Sequence, residues 1–349
     1  MSENSSDINN PSPDRKENRR LFTVLGIACT AAAGLGELLD FITGKINPSY
    51  NPGNLTGGFL LSIAYYLLVL AAASAAVRFF ARGGGQTPVE PAQSRPGIVI
   101  IASLPVCASL VFIASMLIAL SGGYADGSGS SSGFLKTPLE GVVYFAASVI
   151  VVPVAEEYFF RKTLTGAVAG RSGVMAVVLS ALMFGLCRSD WRQAVTSFAL
   201  GLVLGAAYLI SGKFYVPVII HAVFNLVFVF WPVLASSLLT DAESLERLLE
   251  AVNEFYSSST YDAALFDEIV AALPEHLPYL LTSSLLSAVT DGLVLAGPLA
   301  IFLCRRKIKI PKGSRPIARE EIGDTVFLAP GMLLFFATAV ILIAISAFA

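Results

Sequence analysis

Residues 97–121 read GIVIIASLPVCASLVFIASMLIALS, a stretch without a single charge. An apolar run of about 20 residues is long enough to cross a bilayer as a helix. Hydrocarbon offers no partners to backbone N–H and C=O groups, so a crossing segment must satisfy them internally. Runs of this kind recur at 21–44, 57–80, 97–121, 139–166, 173–188, 192–211, 215–239, 279–303 and 326–348. The expected fold is therefore all-α, a polytopic helical transmembrane bundle of about nine spans. Composition agrees: 55% of the 349 residues are hydrophobic and only 14% are charged, against about 25% in a soluble domain.

The charges divide the chain. Residues 1–20 form a cytoplasmic tail with Arg15, Lys16, Arg19 and Arg20. Residues 21–133 hold N-terminal spans and end in the linker GSGSSSG, residues 134–239 form a central core, 240–278 an acidic extracytoplasmic loop, and 279–349 the C-terminal spans. Arg78, Arg82, Arg95, Lys162, Arg171 and the basic run 304–319 fall on the side of the tail if the spans alternate. Lys and Arg in short loops mark the cytoplasmic side. This places a multi-pass protein in the cell membrane, N-terminus inside and C-terminus outside. A cleaved signal peptide is the competing reading of the first span. Within 240–276, nine acidic residues face one Arg, and Leu245, Leu248, Leu249 and Val252 have the spacing of an amphipathic helix. The net charge of −2 gives no reason to expect nucleic acid as a partner; the bilayer is the partner. Cys29, Cys107, Cys187 and Cys304 sit in or beside apolar runs without paired spacing, as core-filling thiols do.

Charged side chains inside spans cost about 2.5–3.5 kcal/mol each on insertion scales, so they face a partner or a cavity. The stretch AEEYFFRK, 155–162, ends an uncharged run of fifteen residues. On a helix Glu157 and Arg161 stand at i and i+4 and can pair. Glu156 then points about 100° away, which leaves it free for chemistry. A helix simply ending in water is the bland alternative. In PVIIHAVFN, 217–225, Pro217, His221 and Asn225 share one face. They read either as interhelical hydrogen bonding or as donors converging on a developing oxyanion. Gly201 and Gly205 form a G-x-x-x-G that lets two helices approach closely. Asp291, midway along the eighth run, reads as a functional carboxylate, a neutral acid bonded to a neighbouring helix, or a partner of Arg188.

These clusters, in this order and at these gaps, resemble the CAAX protease and bacteriocin-processing family of intramembrane proteases (also called Abi), which includes the Rce1-type prenyl-protein endopeptidases. The family pattern E-E-x-x-x-R matches Glu156, Glu157 and Arg161, and H-x-x-x-N matches His221 and Asn225. The resemblance covers roughly 139–235. It implies that Glu156 activates a water, helped by an imidazole from a second motif, F-x-x-x-H. It implies too that His221 and Asn225 hold the oxyanion of the attacked carbonyl, in a cavity open to the cytoplasmic side. The second motif departs from the pattern. Phe184 is in place, and four residues later stands Arg188. Arginine does not give up its proton in proteins, whereas imidazole exchanges one near neutral pH. His276, the other histidine, lies in the acidic loop. Two histidines in all cannot build a multi-histidine zinc site, so neither a metal nor another cofactor is expected.

The expected function is intramembrane endopeptidase action on a membrane-associated peptide or protein substrate, with Glu156, Glu157, Arg161, Arg188, His221 and Asn225 as the site. Two alternatives stand beside it. Arg188, expected to pair with Glu156 or Asp291, favours a catalytically impaired relative serving as membrane scaffold or bacteriocin-immunity factor. Asp291 suggests a small transporter.

Overall fold

The computed structural model describes residues 13–46, 58–80, 95–121, 137–239, 241–258, 260–305 and 309–348. The glycine–serine linker 127–133, Arg82, the side chain of Asp40 and residues 306–308 of the basic run lie outside them. Every regular element among the described residues is helical. In chain order they are α1 (Pro13–Ile46), α2 (Gly58–Phe80), α3 (Pro96–Leu120), α4 (Pro138–Ala169), α5 (Gly173–Leu186), α6 (Trp191–Ser211), α7 (Tyr215–Ser237), α8 (Ala242–Ser257), α9 (Ala263–Cys304) and α10 (Pro330–Phe348).

Six of these, α1, α3, α4, α6, α7 and α9, are long and apolar enough to cross a membrane; Arg319–Phe327 and α10, bent by 65°, make a seventh if taken together. The expected count of nine is not reproduced. The fifth expected span is the 14-residue α5. At 1.5 Å per residue it reaches about 21 Å, short of a hydrocarbon core of about 30 Å. The second expected span is matched by the 23-residue α2. The chain is a multi-pass membrane protein.

The acidic segment is also more ordered than a loop. Asp241 and Asp262 cap α8 and α9, their carboxylates accepting from the N–H groups of Glu243 and of Ala264 and Leu265. Such caps satisfy N–H groups that the first turn leaves open. Leu245, Leu248 and Ala251 of α8 are buried, while Leu249 is 52% exposed, so the packed face is narrower than the expected one. It lies against α9, a helix of 42 residues. His276 therefore belongs to α9, is buried, and has its Nε2 3.0 Å from Ser244 Oγ.

Glycines set the closest helix crossings. A Cβ at Gly201 would meet Ala181, and one at Gly205 would touch Val177. The G-x-x-x-G thus presses α6 onto α5, as the spacing predicts. A Cβ at Gly26 would overlap the Gly331 backbone, so α1 and α10 are in backbone contact. Where they begin, Arg15 and Asp324 pair at 2.9 Å. Arg171 in the α4–α5 turn reaches Glu17 at 3.5 Å and Asn18 at 2.9 Å, and Arg315 N–H donates to the Gly170 carbonyl. Basic groups thus gather at the end of the bundle that carries the N-terminal tail.

Candidate active site

The site starts in α4, whose coil is not uniform. Residues Ala146–Val151 and Tyr158–Thr165 are wide π turns, with Pro153 and the two glutamates in the α-helical turn between them. Threonine hydroxyls cover carbonyls five residues back: Thr163 donates to Tyr158 and Thr165 to Phe160. Wide turns of this kind recur at functional sites. A third, Leu226–Phe230, follows directly after Asn225.

Glu157 and Arg161 pair as their spacing predicts, at 2.8 Å and with both side chains fully buried. Arg161 Nη1 also donates to Ser180 Oγ at 2.7 Å, and Ser180 passes its own proton to the Phe160 carbonyl. Ser180 was not visible as a site residue in the sequence. Its one available signal is position, a full turn before Phe184 on the same face of α5. The other oxygen of Glu157, Oε1, lies 3.0 Å from His221 Nδ1. One carboxylate therefore joins two motifs that are 64 positions apart.

Glu156 is not left free. Its Oε1 accepts from Arg188 Nη2 at 2.7 Å. Its Oε2 is buried without a hydrogen-bond partner, 3.8 Å from His221 Nε2. Arg188 takes Glu156 as a partner, and Asp291 is exposed on α9. Phe184 lies under both cations, 5.2 Å from the Arg161 guanidinium carbon and 5.1 Å from that of Arg188. Its ring edge meets the His221 imidazole. Asn225 donates to the Ser148 carbonyl at 2.8 Å, which ties α7 back to the first π turn of α4.

Glu156, Glu157, Arg161, His221 and Asn225 are all buried; Arg188 is the most exposed of the group, at 23% for its side chain. It sits in the short α5–α6 loop, where Ser189 donates to Glu37 of α1. Glu37 follows Glu17, which marks the tail end of the bundle, by 20 positions, or about 30 Å of helix. The part-exposed edge of the site, at Arg188, thus lies beside the half of α1 farther from the tail. The contact of Glu37 with the loop beside Arg188 is not legible from spacing. Among the described residues no cluster of three His, Cys, Asp or Glu side chains is arranged to hold a metal ion.

A buried array of two carboxylates, two guanidiniums and an imidazole, with Glu156 Oε2 and His221 Nε2 3.8 Å apart, has the donors and acceptors that acid–base chemistry needs. The family described as Type II CAAX prenyl endopeptidase Rce1-like matches residues 138–227. The membrane-embedded CAAX protease MroQ of Staphylococcus aureus is 30% identical over 114 residues, covering 31% of this chain and 44% of its own length. The chain thus spans less than half of that relative. No solved structure matches.

Proposed function

Residues 138–227 form a domain of the Rce1-like CAAX protease family, and on that premise we propose that the chain is an intramembrane endopeptidase that hydrolyses a peptide bond of a membrane-proximal substrate. The observation that carries this is Glu156 Oε2, a buried carboxylate oxygen without a partner, aimed at His221 Nε2. A buried acceptor of that kind is costly unless something occupies it. A water held against Glu156 Oε2 there attacks the peptide carbonyl through its oxygen. Asn225, which keeps one amide hydrogen beyond its bond to Ser148, supports the oxyanion. Glu157 and Arg161 fix His221 and the α4 turn. The matched domain corresponds to a core of 134–239, with the flanking spans and the acidic segment 240–278 as its surroundings. The proposed setting is the cell membrane with the N-terminal tail inside, supported by the basic groups gathered at that end.

A second reading is an inactive relative that keeps the fold as a scaffold or immunity partner. The Arg188–Glu156 ion pair favours it, because the guanidinium occupies one oxygen of that carboxylate and cannot itself exchange a proton. Internally quenched peptides incubated with the purified protein in lipid nanodiscs separate the two. Cleavage that is lost in Glu156→Ala supports the peptidase; no cleavage by the unmodified protein, with cleavage by Arg188→His, supports the inactive relative. Asp291, the basis of a transporter reading, lies apart from the buried array.

A further inference from the structure

We propose that His221 is the proton-transferring imidazole of this site, taking over the work that a histidine at position 188 would do. The inference rests on the peptidase reading above. It follows from which ring nitrogen faces which oxygen. Glu157 is a carboxylate and can only accept, so a hydrogen bond at 3.0 Å to Nδ1 places the hydrogen of a neutral His221 on Nδ1. Nε2 then carries a lone pair, not a hydrogen, and it is Nε2 that faces Glu156 Oε2. A neutral imidazole held in this way cannot donate to an oxyanion. It can accept a proton. A carboxylate behind the other nitrogen fixes the ring and its tautomer, the arrangement that general-base histidines share.

The groups around the ring leave Nε2 one reactive direction. From α4, Glu156 and Glu157 face it with Arg161; from the α5–α6 loop comes Arg188; from α5 come Phe184 and Ser180. On α3 the titratable group near the site is the Cys107 thiol.

The step balances as follows. The water oxygen bonds to the carbonyl carbon while one water proton passes to His221 Nε2. The imidazolium formed lies between Glu156 and Glu157, which stabilise it. It returns that proton to the nitrogen of the leaving amine as the C–N bond breaks. The products are a carboxylic acid and an amine, and His221 is neutral again.

The test uses the full chain in lipid nanodiscs with 15N-labelled histidine. There are only two histidines, so the signals that vanish in His221→Gln identify His221. The expected spectrum at neutral pH shows Nδ1 protonated and Nε2 bare, and Glu157→Gln removes that preference. On a pool of internally quenched peptides, His221→Gln lowers cleavage by about 10²–10⁴-fold, the usual worth of acid–base help, although glutamine keeps an N–H donor. Adding Arg188→His to His221→Gln brings back a measurable part of the rate, because an imidazole again faces the water. A protonated Nε2 at neutral pH overturns the assignment. So does an active protein whose His221→Gln variant keeps its rate, or one that Arg188→His fails to rescue. If the unmodified protein and its Arg188→His variant both cleave nothing, the peptidase reading falls and this role falls with it. An active protein with an unaffected His221→Gln variant removes the role alone.

Discussion

Arg188 Nη2 and Glu156 Oε1 stand 2.7 Å apart, across 32 positions of sequence and at the one edge of the site that is part-exposed. A guanidinium there cannot shuttle protons, and it occupies one oxygen of the carboxylate it holds. Replacing it by histidine releases Glu156 and supplies a second imidazole. Arg188→His is therefore expected to raise peptide cleavage above that of the unmodified protein, by up to about 10²-fold. Arg188→Ala releases Glu156 without supplying an imidazole and is expected to stay near the unmodified rate. A fall in rate with Arg188→His would show instead that the guanidinium itself is needed in the reaction.

The two glutamates should differ in what they do for stability. Glu157 serves Arg161 and His221 at once, and all three are buried. Removing it leaves a buried guanidinium without its carboxylate, which costs about 3–5 kcal/mol in comparable cases. Glu157→Ala is expected to lower the melting temperature sharply or to abolish a monodisperse elution peak. Glu156→Ala removes one partner of Arg188, whose side chain already reaches the surface and can turn toward water, so its melting temperature stays close to that of the parent. Equal melting of the two variants contradicts this division.

Much of the core was legible because it is local. Glu157 and Arg161 sit one turn apart, and one turn is what an i,i+4 spacing encodes. The Gly201 and Gly205 crossing was legible for the same reason. What the sequence could not carry was the register between helices. Nothing in the spacing of Glu156 says that Arg188 reaches it, or that Glu157 rather than Glu156 meets His221 Nδ1. Those contacts depend on the wide turns in α4 and on where the short α5 ends. The length of α9 was hidden too, since the acidic composition of 240–276 reads as loop while its Asp262 cap and the run behind it read as helix only once joined. Leu249 misled for a simpler reason: a helix packed against one neighbour buries a stripe, and Leu249 falls outside it.

The α1–α10 crossing gives a test within a single helix. Gly26 has the Gly331 backbone where a Cβ would stand, whereas Gly34 has nothing within 4 Å. Gly26→Ala must push the two backbones apart, and overpacking of this kind costs about 1–3 kcal/mol. Gly34→Ala meets no obstacle and restricts the unfolded chain, a gain of about 0.4–1 kcal/mol. Melting of the two variants in the same detergent is expected to shift in opposite directions.

The docking of α8 on α9 can be read with a protease. Ser244 Oγ is 3.0 Å from His276 Nε2, and His276 Nδ1 is buried without a partner. Ser244→Ala therefore leaves the imidazole with neither nitrogen bonded to the protein, at a cost toward the lower end of about 1–3 kcal/mol because Ser244 itself is only part-buried. A cost of about 1 kcal/mol raises the population of locally opened α8 about fivefold. Arg247 is the single Lys or Arg between Lys213 and Arg305, so trypsin has one place to cut in that interval, and it can do so only when α8 opens. Cleavage after Arg247 is expected to run several-fold faster in Ser244→Ala than in the parent, with the cleavage rates at other sites unchanged. Equal rates would mean that the Leu245, Leu248 and Ala251 face holds α8 in place without help from the serine–histidine bond.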